Sequence, residues 1–376
     1  MISFWKKMKK NYNCIILCFG FLWAFSFYLT GCSEKKPSQK YSANVLVLDD
    51  CDDDNNAQTP PGGDRVLILD PNCELLDTID GLQVKTRFGE NKPLSISEDG
   101  RFFAVCENSA KKVTVFSTST GQEYWSKSWP DKTMNSVKFV NNTLYASNQT
   151  TLMVMDIGKK SVKEINGFWG GTWIDLVFDK KNKCFWAAGS VVTKYNKEFE
   201  PVFQISSICD RKIAAAFSID VTSDGSVWIA VREVIAKDGL ENKLLKISPE
   251  GDITKTIQLD VCPYCLSVDQ SDDSIWVTGM TSSKDYTKVG DEWPETLTEL
   301  NETIASDIKT YTHKYNSEGD RIVEMEKGGY SIAIDPFDKS VWIAGRNSII
   351  HSSGSGDIIN EYNNVSKQYK WIALEN

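Results

Sequence analysis

Short apolar runs, four to six residues long, recur along most of this chain and are closed each time by Gly, Asp or Asn. Runs of that length bounded by turn residues predict β-strands joined as hairpins. Leu94-Ser95-Ile96, Ser136-Val137-Lys138-Phe139, Ile174-Asp175-Leu176-Val177, Phe217-Ser218-Ile219-Asp220-Val221, Leu266-Ser267-Val268-Asp269 and Tyr330-Ser331-Ile332-Ala333-Ile334 read as the first strands of successive units. Asp99-Gly100, Asn141-Asn142 and Asp224-Gly225 then reverse the chain, because these residues tolerate the positive φ of tight hairpins. Second strands follow, such as Val227-Trp228-Ile229-Ala230 and Val341-Trp342-Ile343-Ala344. A further hairpin ends each unit around another glycine turn, as in Lys246-Ile247-Ser248-Pro249-Glu250-Gly251-Asp252.

The second strands carry a bulky residue at Phe103, Tyr145, Trp186, Trp228, Trp276 and Trp342, with spacings of 42, 41, 42, 48 and 66. A strand-only repeat of about 42 residues predicts an all-β propeller whose blades stack around an axis. The second hairpins begin at Val66, Val113, Leu152, Val191, Leu244, Thr312 and Ile349, which gives seven blades, with six as the runner-up. The first unit lacks an inner strand, and a spare strand, Tyr369-Lys370-Trp371-Ile372-Ala373-Leu374, stands at the other end. Placing that strand innermost in blade one closes the ring and leaves no free sheet edge there. Stacked blades bury both faces of a strand, so small Ser and Ala residues are expected beside the crowded axis.

The N-terminal region breaks the pattern. Lys6, Lys7, Lys9 and Lys10 precede an apolar run from Cys14 to Leu29, and then comes Leu29-Thr30-Gly31-Cys32. A basic stretch, an apolar stretch and small residues in that order mark an export signal. Leu-Thr-Gly-Cys resembles the bacterial lipobox, whose cysteine becomes the lipidated first residue of the mature protein. That resemblance makes residues 1–31 a signal peptide, Cys32 the lipidation site and the body an envelope protein. Ser33 after the cysteine implies, by the same resemblance, the outer membrane in a Gram-negative cell. An uncleaved anchor over Ile15 to Gly31 is the alternative. Residues 32–43, polar with one proline, read as a tether, and residues 44–376 as the propeller domain.

Composition narrows the function. The net charge of −9 becomes −13 once the four lysines of the leader are set aside. So acidic a body lacks the basic footprint that nucleic acid demands. Seven of the ten cysteines remain beyond Cys14, Cys18 and Cys32, so one at least stays unpaired and no disulfide framework is expected.

Pro93-Leu94-Ser95-Ile96-Ser97-Glu98-Asp99-Gly100-Arg101-Phe102-Phe103-Ala104-Val105, with Val113-Thr114-Val115-Phe116 and Thr120-Gly121, resembles a YVTN-type blade. Ile219 to Ala230 and Ser331 to Ala344 resemble NHL or virginiamycin B lyase-type blades. Propellers of these kinds serve as ligand sensors, scaffolds, lactonases and lyases, so the resemblance speaks to fold more than activity. Lyase catalysis in that family relies on a histidine near the mouth, and no position here matches it. Regucalcin-type lactonases hold a divalent metal with mouth carboxylates, a part that Asp175 and Asp220 are placed to play.

Candidate chemistry gathers in the connections. Three are long: Asp49 to Asp64, Glu233 to Asn242 and Met280 to Tyr311. All three fall on one face in the usual propeller path, and unusually long loops on a rigid scaffold are where binding lives. The third contains Asp291-Glu292-Trp293-Pro294-Glu295 and apolar Leu297, Leu300 and Ile304, a pattern for a short amphipathic helix acting as a lid or a partner contact. Phe168-Trp169-Gly170-Gly171-Thr172-Trp173 offers Trp169 and Trp173 as stacking platforms, or as plugs between blades. Asp50, Asp52 and Asp54 alternate as calcium ligands do, although no glycine follows and Pro61 stands at the closing position, so a solvated acidic loop is the alternative.

Cys262-Pro263-Tyr264-Cys265 matches a glutaredoxin box but precedes a strand instead of a helix, which removes the dipole such chemistry uses. Cys262 and Cys265 are candidates to pair with each other or with Cys209, while Cys106 and Cys184 read as small core residues. The two histidines, His313 and His351, fall on third strands, so a histidine-based dyad or zinc site is hard to assemble. The expected function is therefore a membrane-tethered, monomeric binding protein for an envelope partner or extracellular ligand, without a cofactor unless calcium occupies the acidic run. A metal-dependent lactonase or hydrolase is the alternative.

Overall fold

A computed structural model of the protein describes residues 44–49, 63–84, 92–148, 150–167, 175–205, 214–233, 242–282, 308–345, 347–365 and 370–374. They form seven four-stranded antiparallel sheets. Inner strands Lys370–Leu374, Leu94–Ile96, Ser136–Val140, Asp175–Asp179, Ala214–Val221, Cys262–Asp269 and Gly329–Ile334 touch in that order and close a ring. The protein is a seven-bladed β-propeller, and the closure is the one the sequence predicts. The C-terminal strand Lys370–Leu374 pairs along the whole of Val45–Asp49, from Val45↔Leu374 to Asp49↔Lys370.

There is no single core. The buried apolar side chains of the described residues separate into seven clusters, each shared by two neighbouring blades. Trp186 fills the seam between blades four and five, Trp228 the next, then Trp276, and Trp342 the seam of blades seven and one. Each of these indoles is at most 2% exposed. In all four blades the third strand sets a basic or imidazole side chain opposite the indole. Lys194, Lys246 and Lys314 lie 5.2, 5.9 and 5.4 Å from the ring centroids, and His351 stacks on Trp342 at 4.1 Å. Lys194 then donates to the Pro249 carbonyl of the following blade at 2.6 Å, and Lys314 to that of Gly354 at 3.2 Å. The Trp186 and Trp276 seams are thus pinned by dispersion, cation–π attraction and a charge-assisted hydrogen bond.

The register corrects one reading of the repeat. Trp228 pairs with Asp220 and Lys246, and the residue in that place in blade two is Ala104, opposite Ser95 and Val115. Phe103 is one residue out of phase and so points the other way, into the seam with blade one, stacked on Phe116 at 5.0 Å. A shift of one residue moves a side chain to the opposite face of a strand. Bulk alone marked Phe103, whereas the pairing picks out Ala104. Tyr145 keeps the register but is only partly buried.

Third and fourth strands are joined by five-residue turns in six blades and a four-residue turn in blade three, all at one end of the ring. An Asp, Asn or Ser opens five of these turns and accepts backbone N–H groups within it, as Asn196 Oδ1 does from Glu198 and Glu200. In the six five-residue turns the penultimate residue takes positive φ, as glycine in four of them, and in blade three the last residue, Lys160, does. Gly356, at φ +92°, also lies so close to blade six that an added Cβ would stand 2.5 Å from Val323 Cγ1. Gly81, at φ +82°, has nothing within 4 Å. Gly81→Ala should therefore cost about 1 kcal/mol from backbone strain alone, and Gly356→Ala about 2–3 kcal/mol, compared by urea melts.

Both histidines sit on third strands, nearly inaccessible, with His313 1% and His351 6% exposed. Burial holds each imidazole below its ordinary pKa, against the opposing pull of Asp260 on His313 and Asp338 on His351. The unfolded chain then binds more protons than the folded one below pH about 6.5, so stability falls as pH drops through that range. Thermal melts between pH 7.5 and 5 should show this decline, and a His313→Phe/His351→Phe variant should show less of it.

Candidate functional site: the mouth and the bridged channel

The registers stack the inner strands in layers around the axis. The layer nearer the connecting loops consists of Trp371, Pro93, Ser136, Asp175, Ser218, Cys265 and Ser331, taken blade by blade. Every member is buried. Two residues further along, the next layer holds Ala373, Ser95, Lys138, Val177, Asp220, Ser267 and Ala333, of which five are at least partly exposed.

Small polar residues occupy these layers for a reason of hydrogen bonding. An inner strand has a ladder partner on one side only, and its remaining N–H groups need acceptors. The neighbouring blade supplies them. Ser95 Oγ accepts from Phe139 N at 3.0 Å, Asp175 Oδ2 from Ile219 N at 2.9 Å and Ser218 Oγ from Leu266 N at 3.2 Å. Asp220 Oδ2 accepts from Val268 N at 2.8 Å, and Ser331 Oγ from Ile372 N at 3.3 Å across the closing seam. The first-strand serines Ser95, Ser218 and Ser331 are inter-blade acceptors of this kind.

Lys92 was not among the sequence candidates, and it dominates the site. Its backbone is clamped to blade three, donating to Ser136 Oγ at 3.0 Å and accepting from Val137 N at 2.9 Å. From there the side chain reaches Asp175 Oδ2 in blade four, in a short ion pair, and Ser218 Oγ in blade five at 3.1 Å. Ser218 in turn lies 3.2 Å from the same carboxylate oxygen and 3.8 Å from Cys265 Sγ in blade six. Lys92 thus ties blade two, which it enters, to blade three through its backbone and to blades four and five through its ammonium. Burial works against its charge, but Asp175, Cys265 and Asp220 more than offset that, and the ammonium is held above its ordinary pKa. Nothing in the local sequence marks Lys92, because its partners lie 83 and 126 residues away.

Asp220 lies in the second layer. Burial is the largest influence on its carboxyl and raises its pKa, opposed by the Val268 N–H, the charge of Lys138 and the Val221 N–H, while Asp175 adds to the rise. The structure brings Asp175 and Asp220 into one neighbourhood, and each is engaged by a backbone donor of the next blade. Among the described residues, no three His, Cys, Asp or Glu side chains converge as a metal-binding group.

Cys262 and Cys265 lie on one strand, Cys262–Asp269, where three residues advance about 10 Å, beyond the reach of a disulfide. Cys106 and Cys184 are buried core residues as expected, and burial pushes the Cys184 thiol up to about 11. Trp169, Trp173, Trp293, Asp50, Asp52, Asp54, Cys209 and Cys32 lie outside the described residues.

No protein-family model matches the chain, and neither does any curated protein. Solved structures do. Hydrazine synthase of Kuenenia stuttgartiensis is similar over 73% of this chain and 79% of that one, with 16% identity and a TM-score of 0.55. A functionally unknown protein of Desulfotomaculum acetoxidans DSM 771 is similar over 89% of this chain and 99% of that one, with 10% identity and a TM-score of 0.57. Likeness at these identities concerns the propeller fold alone.

Proposed function

We propose that the chain is a lipid-anchored envelope protein whose propeller binds a partner protein or extracellular ligand at its mouth, without catalysis. One observation carries the reading: the asymmetry of the connections. At the mouth, second and third strands are separated between Asp49 and Asp64, Glu233 and Asn242, and Ser282 and Ile308, whereas the opposite end has only four- and five-residue turns between third and fourth strands. The Lys92 bridge supports the same reading, since it gives the mouth a floor with a fixed ammonium. Asp175 and Asp220 border that floor and are bound by backbone donors, which favours a binding surface over a metal-dependent lactonase or hydrolase. Trp169, Trp173 and Trp293 are proposed to supply its aromatic contacts, and Asp50, Asp52 and Asp54 a calcium subsite. The blades belong, on this reading, with the YVTN and NHL types.

The test is in-cell cross-linking and recovery of the tagged chain, beside a deletion of residues 284–308 that still melts like the parent. An envelope partner lost in the deletion supports binding at the mouth. Identical recoveries from both proteins would overturn it. Calcium is tested separately by calorimetry, where heat equal to that of an Asp50→Asn/Asp52→Asn/Asp54→Asn control rejects the subsite.

A further inference from the structure

The end of the ring opposite the mouth carries an uneven distribution of exposed apolar side chains. Each fourth strand begins there, and in blades two, four and five it exposes one large apolar residue, Tyr124, Val202 or Ile253. Blades one and seven expose two adjacent ones each, Leu75 with Leu76 and Ile358 with Ile359. Blade six adds Ile322, 54% exposed, and the turn between the first two strands of blade seven adds Phe337, 53% exposed. Three consecutive blades thus present six large apolar side chains at one end.

Register places this patch where the chain enters the propeller. Val45 pairs with Leu374 and Leu69, and Leu69 with Leu75, so the first residue of the first strand and the start of the exposed pair share one row across blade one. In blade seven the corresponding row is Ile334, Val341, Ser352 and Ile358. Residues 32–43 separate the proposed lipidated cysteine from this point and span at most about 40 Å when fully extended.

From these positions we infer that the turn end of blades six, seven and one rests on the phospholipid surface to which the chain is anchored, so that the mouth faces away from the membrane. The inference rests on the lipid anchor of the proposed function. Apolar side chains at a bilayer boundary gain from removal from water in proportion to the area covered. Charge selects the kind of surface. Glu74, Asp320, Asp338 and Asp357 are exposed around the patch, while the exposed Arg321 beside Ile322 is paired with Asp260 and Glu324, and carboxylates are repelled by anionic head groups. The matching surface is zwitterionic, and anionic lipid weakens the association.

The test uses the full lipidated chain in zwitterionic vesicles, with a photo-reactive residue at Ile358 or, as a control, at Ser190, which is exposed at the mouth end. Mass spectrometry reads two things: the lipid on Cys32 and lipid adducts at the reactive position. Adducts at Ile358 and none at Ser190 are expected. Exchanging part of the lipid for an anionic one should lower their yield. A Leu75→Ser/Leu76→Ser/Ile359→Ser variant, altered only at exposed positions, should melt like the parent and lose about tenfold or more of the Ile358 adduct. Equal adducts at both positions, or none at Ile358 while Cys32 carries lipid, overturn the inference. An unmodified Cys32 overturns the anchor instead, and a reading of that peptide keeps the two failures distinct.

Discussion

A chain ending at Gln368 will lose cooperative unfolding and will not accumulate as a folded protein. The missing strand is the innermost of blade one and pairs residue by residue with Val45–Asp49. Trp371, Ile372 and Leu374 are buried to within 8% of full coverage, in the seams on either side of blade one. Each such side chain contributes about 1.5–3 kcal/mol by leaving water, and the backbone groups of Val45–Asp49 would lose their ladder partners as well. The combined loss, about 5 kcal/mol or more, is comparable to the whole stability of a typical domain. Because each seam is shared by two blades, the ring cannot give up one strand locally. Circular dichroism melts of the full and shortened chains decide the matter, and a shortened chain melting within a few degrees of the parent would remove the closure argument.

Asp175→Ala should destabilise by about 3 kcal/mol, more than any other single change in the channel. It would leave the Lys92 ammonium without its carboxylate and the Ile219 N–H without an acceptor, and breaking a buried pair from one side costs more than the pair contributes. The side chain of Lys92 is 28% exposed, so water softens the penalty toward the lower end of the usual range. Lys92→Met should cost less, about 1–2 kcal/mol, since Asp175 keeps the Ser218 hydroxyl and Ile219 N–H. Urea titrations of the two variants and their double form a cycle that isolates the coupling. Additive effects within about 0.5 kcal/mol would show that the bridge is not a structural unit.

The two predictions differ in how far the sequence anticipates them. The closing strand is legible because Tyr369 to Leu374 is a strand pattern with no partner near it, and blade one lacks one. Period and turn chemistry are local, so hairpins and blade number follow from residues a few positions apart, and closure follows from the one strand pattern they leave unpaired. The same holds for the recurring first-strand serine, visible as a small residue beside the axis although its role as inter-blade acceptor is not. Phe103 shows where local pattern stops being informative. Its size suited the series, but only the pairing of Ala104 with Ser95 and Val115 shows which face each residue takes.

Lys92 lies wholly beyond that point. Its bridge joins blades that are adjacent around the axis and far apart in the chain, and so does the exposed apolar patch formed by Leu75, Leu76, Ile322, Phe337, Ile358 and Ile359. The strand period, the turns and the seven units are legible in the chain alone because they rest on interactions within one hairpin, and the closing strand is legible as a strand pattern left without a hairpin partner. Which distant side chains meet is settled only in the folded ring. A ring brings distant segments to a common axis and a common end, and no local periodicity records which of them meet.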